Sequence, residues 1–437
     1  MSRPSHTTLP LTAQPVYLAA SAVNNLLRAL PVGTAYFIGI VLISMFTGQL
    51  VHRQGSLARA ALPYVVHLRW GWHRVERALE RGQFSLDALF DRALSWCMAR
   101  LPVEPVRLGS EQRTVHAIDS STIARWRSRK PSAWLGKGYC YRAQRAVKAN
   151  IVAALTTVVR VGGIRVGLVG RTRFGVSCEE AVAQLFADLR PSGDKRLFSV
   201  DAGIATVEQF REATARDALV GRLRRNVALR RAPEQKRRGQ RGRPPRHGPV
   251  LHPGAQRPEG RPDEDRLIRV EEREVRVRQW SALHFVRAHQ TLLDVVRVDD
   301  PAYKRPLLIG TTARELTTDE IRQAYGHRWP VETNFFVAQG TCAMEMPRAW
   351  TEQAVSRRIS LALLCGSLLK AIAAACEALP MGPWDRKAVS TAGRLANHLD
   401  LYAGNFARLA LSGVEPRKYV KNNDTKHLND LQLPEAA

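Results

Sequence analysis

Apolar residues recur at steps of three and four through residues 55–101, first as Leu57, Ala61, Val65 and Leu68, then as Leu86, Leu89, Phe90, Ala93 and Trp96. That spacing predicts helices with one buried face. Ser85 stands just before the second run, after the Gly82-Gln83 break, with Asp87 behind it, and so has the chemistry of an N-cap. Upstream, residues 29–51 form a run of 23 without a charge, flanked by Arg28 and Arg53. The length can span a bilayer. Pro31, Gly33, Gly39 and Gly48 interrupt it, and Thr34, Ser44, Thr47 and Gln49 dilute it, so a buried helix is the expected form. Residues 1–103 therefore read as an all-α domain.

The texture changes at residues 102–113, where Pro, Gly and charged residues mark a linker. Residues 114–118 (Thr-Val-His-Ala-Ile) then read as a buried strand ending at Asp119. Two β-branched runs, 151–159 and 164–169, meet at Gly162-Gly163, a hairpin signal. A helix fits 178–189, and residues 196–200 form a short apolar strand that ends at Asp201. Thr206 and Gln209 have the spacing of a capping box for the next helix. Strand, hairpin, helix, strand and helix in this order predict a mixed α/β layer, here 110–220. Alternation returns over 266–298 (Val270, Val275, Val277, Trp280, Leu283, Phe285, Leu292, Val295, Val298), predicting two or three strands of a β-rich insertion. Residues 306–310 give a last core strand within a second core segment, 301–350. Helical patterns at 351–376 and from 386 to about 411 close the chain as a C-terminal region, 351–437, whose last twenty or so residues carry no pattern.

Charge adds a partner to this outline. Lys and Arg number 66 against 39 Asp and Glu, a formal net charge of +27. A polyanion, nucleic acid or an anionic membrane, is the implied partner. Arg supplies 55 of the cations, the side chain whose planar fork grips phosphate oxygens in pairs. The charge is concentrated at 221–250, with eleven Arg or Lys against Glu234 alone, among many Gly and Pro. This stretch of the 221–300 segment reads as a loop or arm. It contains Arg241-Gly242-Arg243-Pro244, similar to the AT-hook core that enters narrow A·T minor grooves. Arg237, Arg238, Arg241 and Arg243 are accordingly candidate DNA contacts, and attraction to the phosphate backbone is their safest role. The six Cys are scattered with no Cys-x-x-Cys pair, which disfavours a zinc site or a disulfide framework. With no basic n-region and apolar run at the start, a cytoplasmic protein without a membrane role is expected.

Three acidic positions carry the chemistry. Asp119 and Asp201 each follow an apolar strand, where a carboxylate costs desolvation energy unless a cation compensates it. Hard divalent ions do so with carboxylate and phosphate oxygens. Asp also ordinarily ends a strand and starts a turn, so neither position is decisive alone. The third lies in Tyr325-Gly326-His327-Arg328-Trp329-Pro330-Val331-Glu332. It follows a helix announced by Thr317 and Glu320 as capping box and by Leu316 and Ile321 as hydrophobic staple. On a helical register Tyr325, Arg328 and Glu332 share one face, and Pro330 must kink that helix or begin another. A structural ion pair of Arg328 with Glu332 would explain the spacing equally well.

These residues resemble the DDE transposases of bacterial insertion sequences, in the insertion-sequence 4-like group. That family's signature of Tyr, two residues, Arg, three residues and Glu is matched by Tyr325, Arg328 and Glu332, with Trp329 beside them. Asp119, in Asp-Ser-Ser-Thr, and Asp201, before Ala-Gly, match its first two carboxylates, and the resemblance covers about 110–345. It implies an RNase H-like mixed sheet flanked by helices, with a β-rich insertion before the last carboxylate. It further implies that Asp119, Asp201 and Glu332 hold two Mg²⁺ (or Mn²⁺) ions for cleavage and strand transfer. Arg328 would meet a phosphate, and Tyr325 and Trp329 a base or sugar. Double-stranded DNA, as terminal inverted repeats and as target, is the implied partner. A homodimer would pair two ends in the nucleoid-associated cytoplasm of a bacterium, with the N-terminal helices reading the repeat. The family pattern often continues to a Lys where this chain has Gln339, leaving Arg348 or His327 to supply a cation. A catalytically decayed DNA-binding relative is the alternative.

Overall fold

The computed structural model describes residues 14–65, 73–125, 134–140, 143–189, 193–233, 246–255, 260–349, 351–379, 385 and 389–414. Two compact units divide the chain, residues 1–101 with 336–437, and residues 102–335. The N-terminal and C-terminal helices, which the sequence pattern sets apart as two regions, thus share one unit. Its helices include Gln14–Leu27, Val32–Phe46, Leu57–Val65, His73–Arg81, Leu86–Arg100, Glu352–Ala375, Ala392–Leu401 and Ala403–Ala410.

The uncharged run at 29–51 is mostly buried from Ala35 to Leu50, as expected, while Ala29, Pro31, Val32 and Gly33 are exposed. Ile38, Ile40, Val41, Leu42, Ile43 and Phe46 of Val32–Phe46 have no exposed surface, and the Phe46 ring lies 6.0 Å from that of Phe406. Glu352–Ala375 is, among the described residues, the helix long and apolar enough to cross a membrane, and 83% of its most apolar window is buried in the protein. That burial is what a core helix of a helical domain has. Two buried arginines inside it donate to backbone carbonyls. Arg357 donates to the Leu79 carbonyl at 2.8 Å and lies 4.1 Å over the Phe84 ring, while Arg358 donates to the carbonyls of Gly55 (2.8 Å) and Arg348 (2.9 Å). Leu79 is in the last turn of His73–Arg81, where carbonyls lack helical partners and the helix dipole favours a cation. Ser85 caps Leu86–Arg100 by accepting from the Ala88 N–H, as the sequence predicts.

The second unit is mixed α/β. Its strands are β1 (Arg113–Ala124), β2 (Arg145–Val161), β3 (Ile164–Gly175), β4 (Arg196–Val200), β5 (Asp217–Arg222), β6 (Glu264–Val270), β7 (Arg273–Phe285), β8 (Ala288–Asp299) and β9 (Leu307–Thr311). Helices α1 (Cys178–Ala187), α2 (Val207–Glu212), α3 (Thr318–Gly326) and α4 (Trp329–Gly340) accompany them, and the unit ends inside α4, at Phe335. Gly162 and Gly163 turn the β2–β3 hairpin at φ +55° and +82°. Only a residue without Cβ takes both values at no steric cost, so the turn fixes the register. β2 pairs antiparallel with both β3 and β1, and β1 then runs parallel to β4, and β4 to β5. From β5 the sheet continues antiparallel through β9, β8, β7 and β6.

One core joins the two parts of the sheet. Ile118, Phe198, Val200, Phe210 and Leu219 of the first five strands and α2 lie in the same cluster as Trp280, Leu283, Leu293 and Val295 of β7 and β8. The predicted β-rich insertion is therefore an extension of the sheet. Leu229–Arg230 and Val250–Leu251 pair antiparallel and form the base of the basic segment, where the sequence pattern predicts only a loop. Arg237, Arg238, Arg241 and Arg243, like residues 415–437, lie outside the described residues. Further strands fall where none is expected: Val103–Pro105 and Arg107–Leu108 in the supposed linker, Leu135–Cys140, and β5.

Candidate active site

Parallel pairing of β1 and β4 sets the first two carboxylates side by side. The register matches Ile118 with Val200, so the next residues, Asp119 and Asp201, continue on neighbouring strands, which are separated by about 4.8 Å in any sheet. Asp201 follows the end of β4, as expected. Asp119 does not end its strand, because β1 runs on to Ala124, opposite β2, with Asp119 facing Ala154 and Thr122 facing Ile151. The cause is the 17-residue length of β2, which offers backbone partners beyond the apolar run of β1.

The third carboxylate comes from a break between helices. Thr317 and Glu320 form the predicted capping box, each side chain meeting the other's backbone N–H, and start α3. The helix stops at Gly326, and α4 begins at Trp329 with Pro330 in its first turn, where the missing N–H costs nothing. Tyr325, Arg328 and Glu332 therefore do not share one continuous helix; the break itself turns them toward the two aspartates. Asn334, with no exposed surface, donates to the Gly167 carbonyl of β3 at 3.0 Å and ties α4 to the sheet. A Cβ at Gly167 would come within 2.9 Å of the Asn334 amide nitrogen and 3.1 Å of Pro330, so this glycine permits the approach that sets Glu332 in place. Neither Asn334 nor Gly167 stands out in the sequence; the amide two positions after Glu332 is the available signal.

Arg328 is the hub. Only 8% exposed, it makes a close ion pair with Glu332 and stands 3.8 Å from Asp119 Oδ2. Its guanidinium lies 5.5 Å from the Tyr325 ring centroid and 5.8 Å from that of Trp329, distances at which aromatic faces attract a cation. The Tyr325 hydroxyl donates to Asp201 Oδ1 at 3.2 Å. Trp329, in contrast, is 62% exposed, so its ring is open to a partner. Burial pushes the Asp119 carboxyl up to about 6, against the N–H of Ser120 and Arg328, and the charges of Glu332 and Asp201 push the same way as burial. Such a carboxylate is short of positive charge.

The donors fit a hard divalent ion by type, being three carboxylates that share one electrostatic environment. Among the described residues, however, no three His, Cys, Asp or Glu side chains are grouped closely enough to hold a metal. Arg328 holds Glu332, so that side chain would have to leave the guanidinium to join the aspartates.

No protein family and no curated protein matches the sequence.

His327 does not supply the cation considered for it. It has no exposed surface, neither ring nitrogen has a partner, and burial, with Arg165 and Arg160 nearby, pushes it down to about 4. A neutral imidazole at pH 7 cannot neutralise a phosphate. Gln339 and Arg348 belong to the other unit.

Proposed function

We propose that the chain is a DDE-type transposase of an insertion sequence, which binds the terminal inverted repeats of its element and cuts and joins DNA in a metal-dependent reaction. The observation that carries this reading is the meeting of Asp119, Asp201 and Glu332, from positions spread over more than 200 residues of sequence, around one buried arginine. An ion pair for stability alone needs one acid; three carboxylates in one electrostatic environment, Asp119 among them pushed up to about 6, support a site for cations. The strand order β3-β2-β1-β4-β5, three strands antiparallel and then two parallel, with the insertion ahead of the last carboxylate, supports an RNase H-like core.

Asp119, Asp201 and Glu332 would hold two Mg²⁺ or Mn²⁺ ions, which when bound supply Lewis acidity at the attacking and leaving oxygens of a phosphodiester. Arg328 offers a forked cation to the scissile phosphate, since guanidinium matches paired phosphate oxygens. Tyr325 orients Asp201 through its hydroxyl, and the exposed Trp329 ring offers a stacking face to a base or sugar. Double-stranded DNA is the partner, a homodimer the unit that pairs two ends, and the bacterial nucleoid the place of work. The test is Mg²⁺- or Mn²⁺-dependent cleavage of DNA carrying the element's own ends. Salt-sensitive binding without cleavage would leave a DNA-binding relative of the family, the reading that Gln339 favours.

The arm gives a second expected result. Replacing Arg237, Arg238, Arg241 and Arg243 with Gln lowers the slope of log affinity against log salt by as much as about 3 to 4, near 0.9 for each phosphate that is no longer neutralised. Filter binding over a range of salt concentrations reads it directly. An unchanged slope refutes the arm as a partner of the phosphate backbone.

A further inference from the structure

Arg328 stands where a metal-binding carboxylate site has least room for a positive charge, and the inference drawn from that position rests on the transposase reading of the same carboxylates. The guanidinium pairs with Glu332, stands 3.8 Å from Asp119, and shares electrostatic contact with Asp201. It is buried, its Nε has no hydrogen-bond partner, and the rings of Tyr325 and Trp329 hold it in place. A buried cation fitted this closely among three acids neutralises part of their mutual repulsion, as a metal ion would. The same contacts direct Glu332 toward Arg328, and among the described residues no three carboxylates then form a ligand group.

We propose that Arg328 is an internal counter-ion that competes with divalent ions for Glu332. Loading of the carboxylates and the Arg328–Glu332 pair exclude one another, and the freed guanidinium, still anchored beside Tyr325 and Trp329, becomes available to a substrate phosphate. The chain thereby couples the filling of its carboxylates to the presentation of its phosphate-binding cation. A further property follows: an unloaded site has its strongest phosphate donor occupied internally, so nonproductive DNA gains little there.

The test is Mn²⁺ binding to the full chain without DNA, read from the loss of the free-ion paramagnetic resonance signal. Arg328→Gln is expected to bind Mn²⁺ at least tenfold more tightly than the unaltered protein. Arg328→Lys, which keeps one charge but cannot bridge two acids with a fork, is expected to fall between the two, and it serves if the Gln variant fails to fold. Relief of charge alone would tighten binding without moving a side chain, so a second readout is needed. Mn²⁺ or Mg²⁺ titration of the unaltered protein should change the emission of Trp329, taken as the difference from Trp329→Phe, and Arg328→Gln should abolish that change. Equal or weaker Mn²⁺ binding by the Arg328 variants, or loading without any change at Trp329, overturns the proposal. Failure of the underlying reading looks different: Asp119→Asn and Asp201→Asn would then bind Mn²⁺ as well as the unaltered protein does.

Discussion

Asp119→Asn, Asp201→Asn and Glu332→Gln are each expected to lower Mg²⁺-dependent cleavage of terminal-repeat DNA by at least about a thousandfold, because groups that act as one unit lose most of their effect when any one is removed. Each change keeps the shape of the side chain and deletes its charge. DNA binding should persist, since the phosphate backbone is gripped by a chain with a formal charge of +27. Stability separates a catalytic charge from a structural one. Asp119 is pushed from 3.8 to about 6 by burial, helped by Glu332 and Asp201, so its ionised form is held at a cost of about 3 kcal/mol at pH 7. Asp119→Asn should therefore unfold at the same temperature as the unaltered protein or a higher one, while losing cleavage. A catalytic loss accompanied by a lower melting temperature in all three variants would instead mark the acids as parts of a structural ion-pair network around Arg328.

Much of the second unit is legible in the sequence because its apolar runs are unbroken. Residues 196–200 and 306–310 declare themselves as strands by their apolar runs, and the β2–β3 hairpin does so by β-branched content and by Gly162-Gly163, where the turn itself demands glycine. Leu135–Cys140 is hidden for a physical reason. A Cβ at Gly136 would lie 1.9 Å from the Val176 carbonyl oxygen, and one at Gly138 would lie 2.3 Å from Thr122, so close backbone approach replaces the apolar alternation by which strands are recognised. β1 reads short because Ser120, Ser121 and Thr122 are polar, although pairing with β2 carries them in the ladder. The carboxylates themselves are legible from the ends of apolar runs and the Tyr325–Glu332 spacing. How they meet is not, since the register of β1 on β4 and the break between α3 and α4 depend on partners distant in sequence. Burial is likewise hidden at His327, whose neighbours Arg328 and Gly326 suggest an exposed polar turn, while the folded chain leaves it no exposed surface.

That same histidine should make the protein sensitive to mild acid. His327 is pushed from 6.5 to about 4 by burial, with Arg165 and Arg160 adding to it; His116 is pushed to about 4 by burial and by Arg196, and only Asp217 opposes the shift. His116 is stacked on Phe198 at 5.4 Å, and its Nδ1 is 3.3 Å from the Thr157 hydroxyl, while His327 has no exposed surface. The folded state keeps both imidazoles neutral while the unfolded chain takes up protons below 6.5. Their stability contribution is complete above that value and is lost as the pH falls toward about 4. Each should cost about 2 kcal/mol by pH 5. Asp119 works in the opposite sense, since its raised carboxyl regains a proton in the folded state first, and it returns about 1 kcal/mol over the same interval. A net loss of about 3 kcal/mol between pH 7 and pH 5 is a large share of the roughly 5–15 kcal/mol that holds an ordinary domain together. Urea unfolding at the two pH values, compared with His327→Leu, isolates one contribution: the variant should lose about 2 kcal/mol less. The same pH dependence in both proteins would mean that the ring of His327 finds a proton-stabilising partner, contrary to its two unpartnered nitrogens.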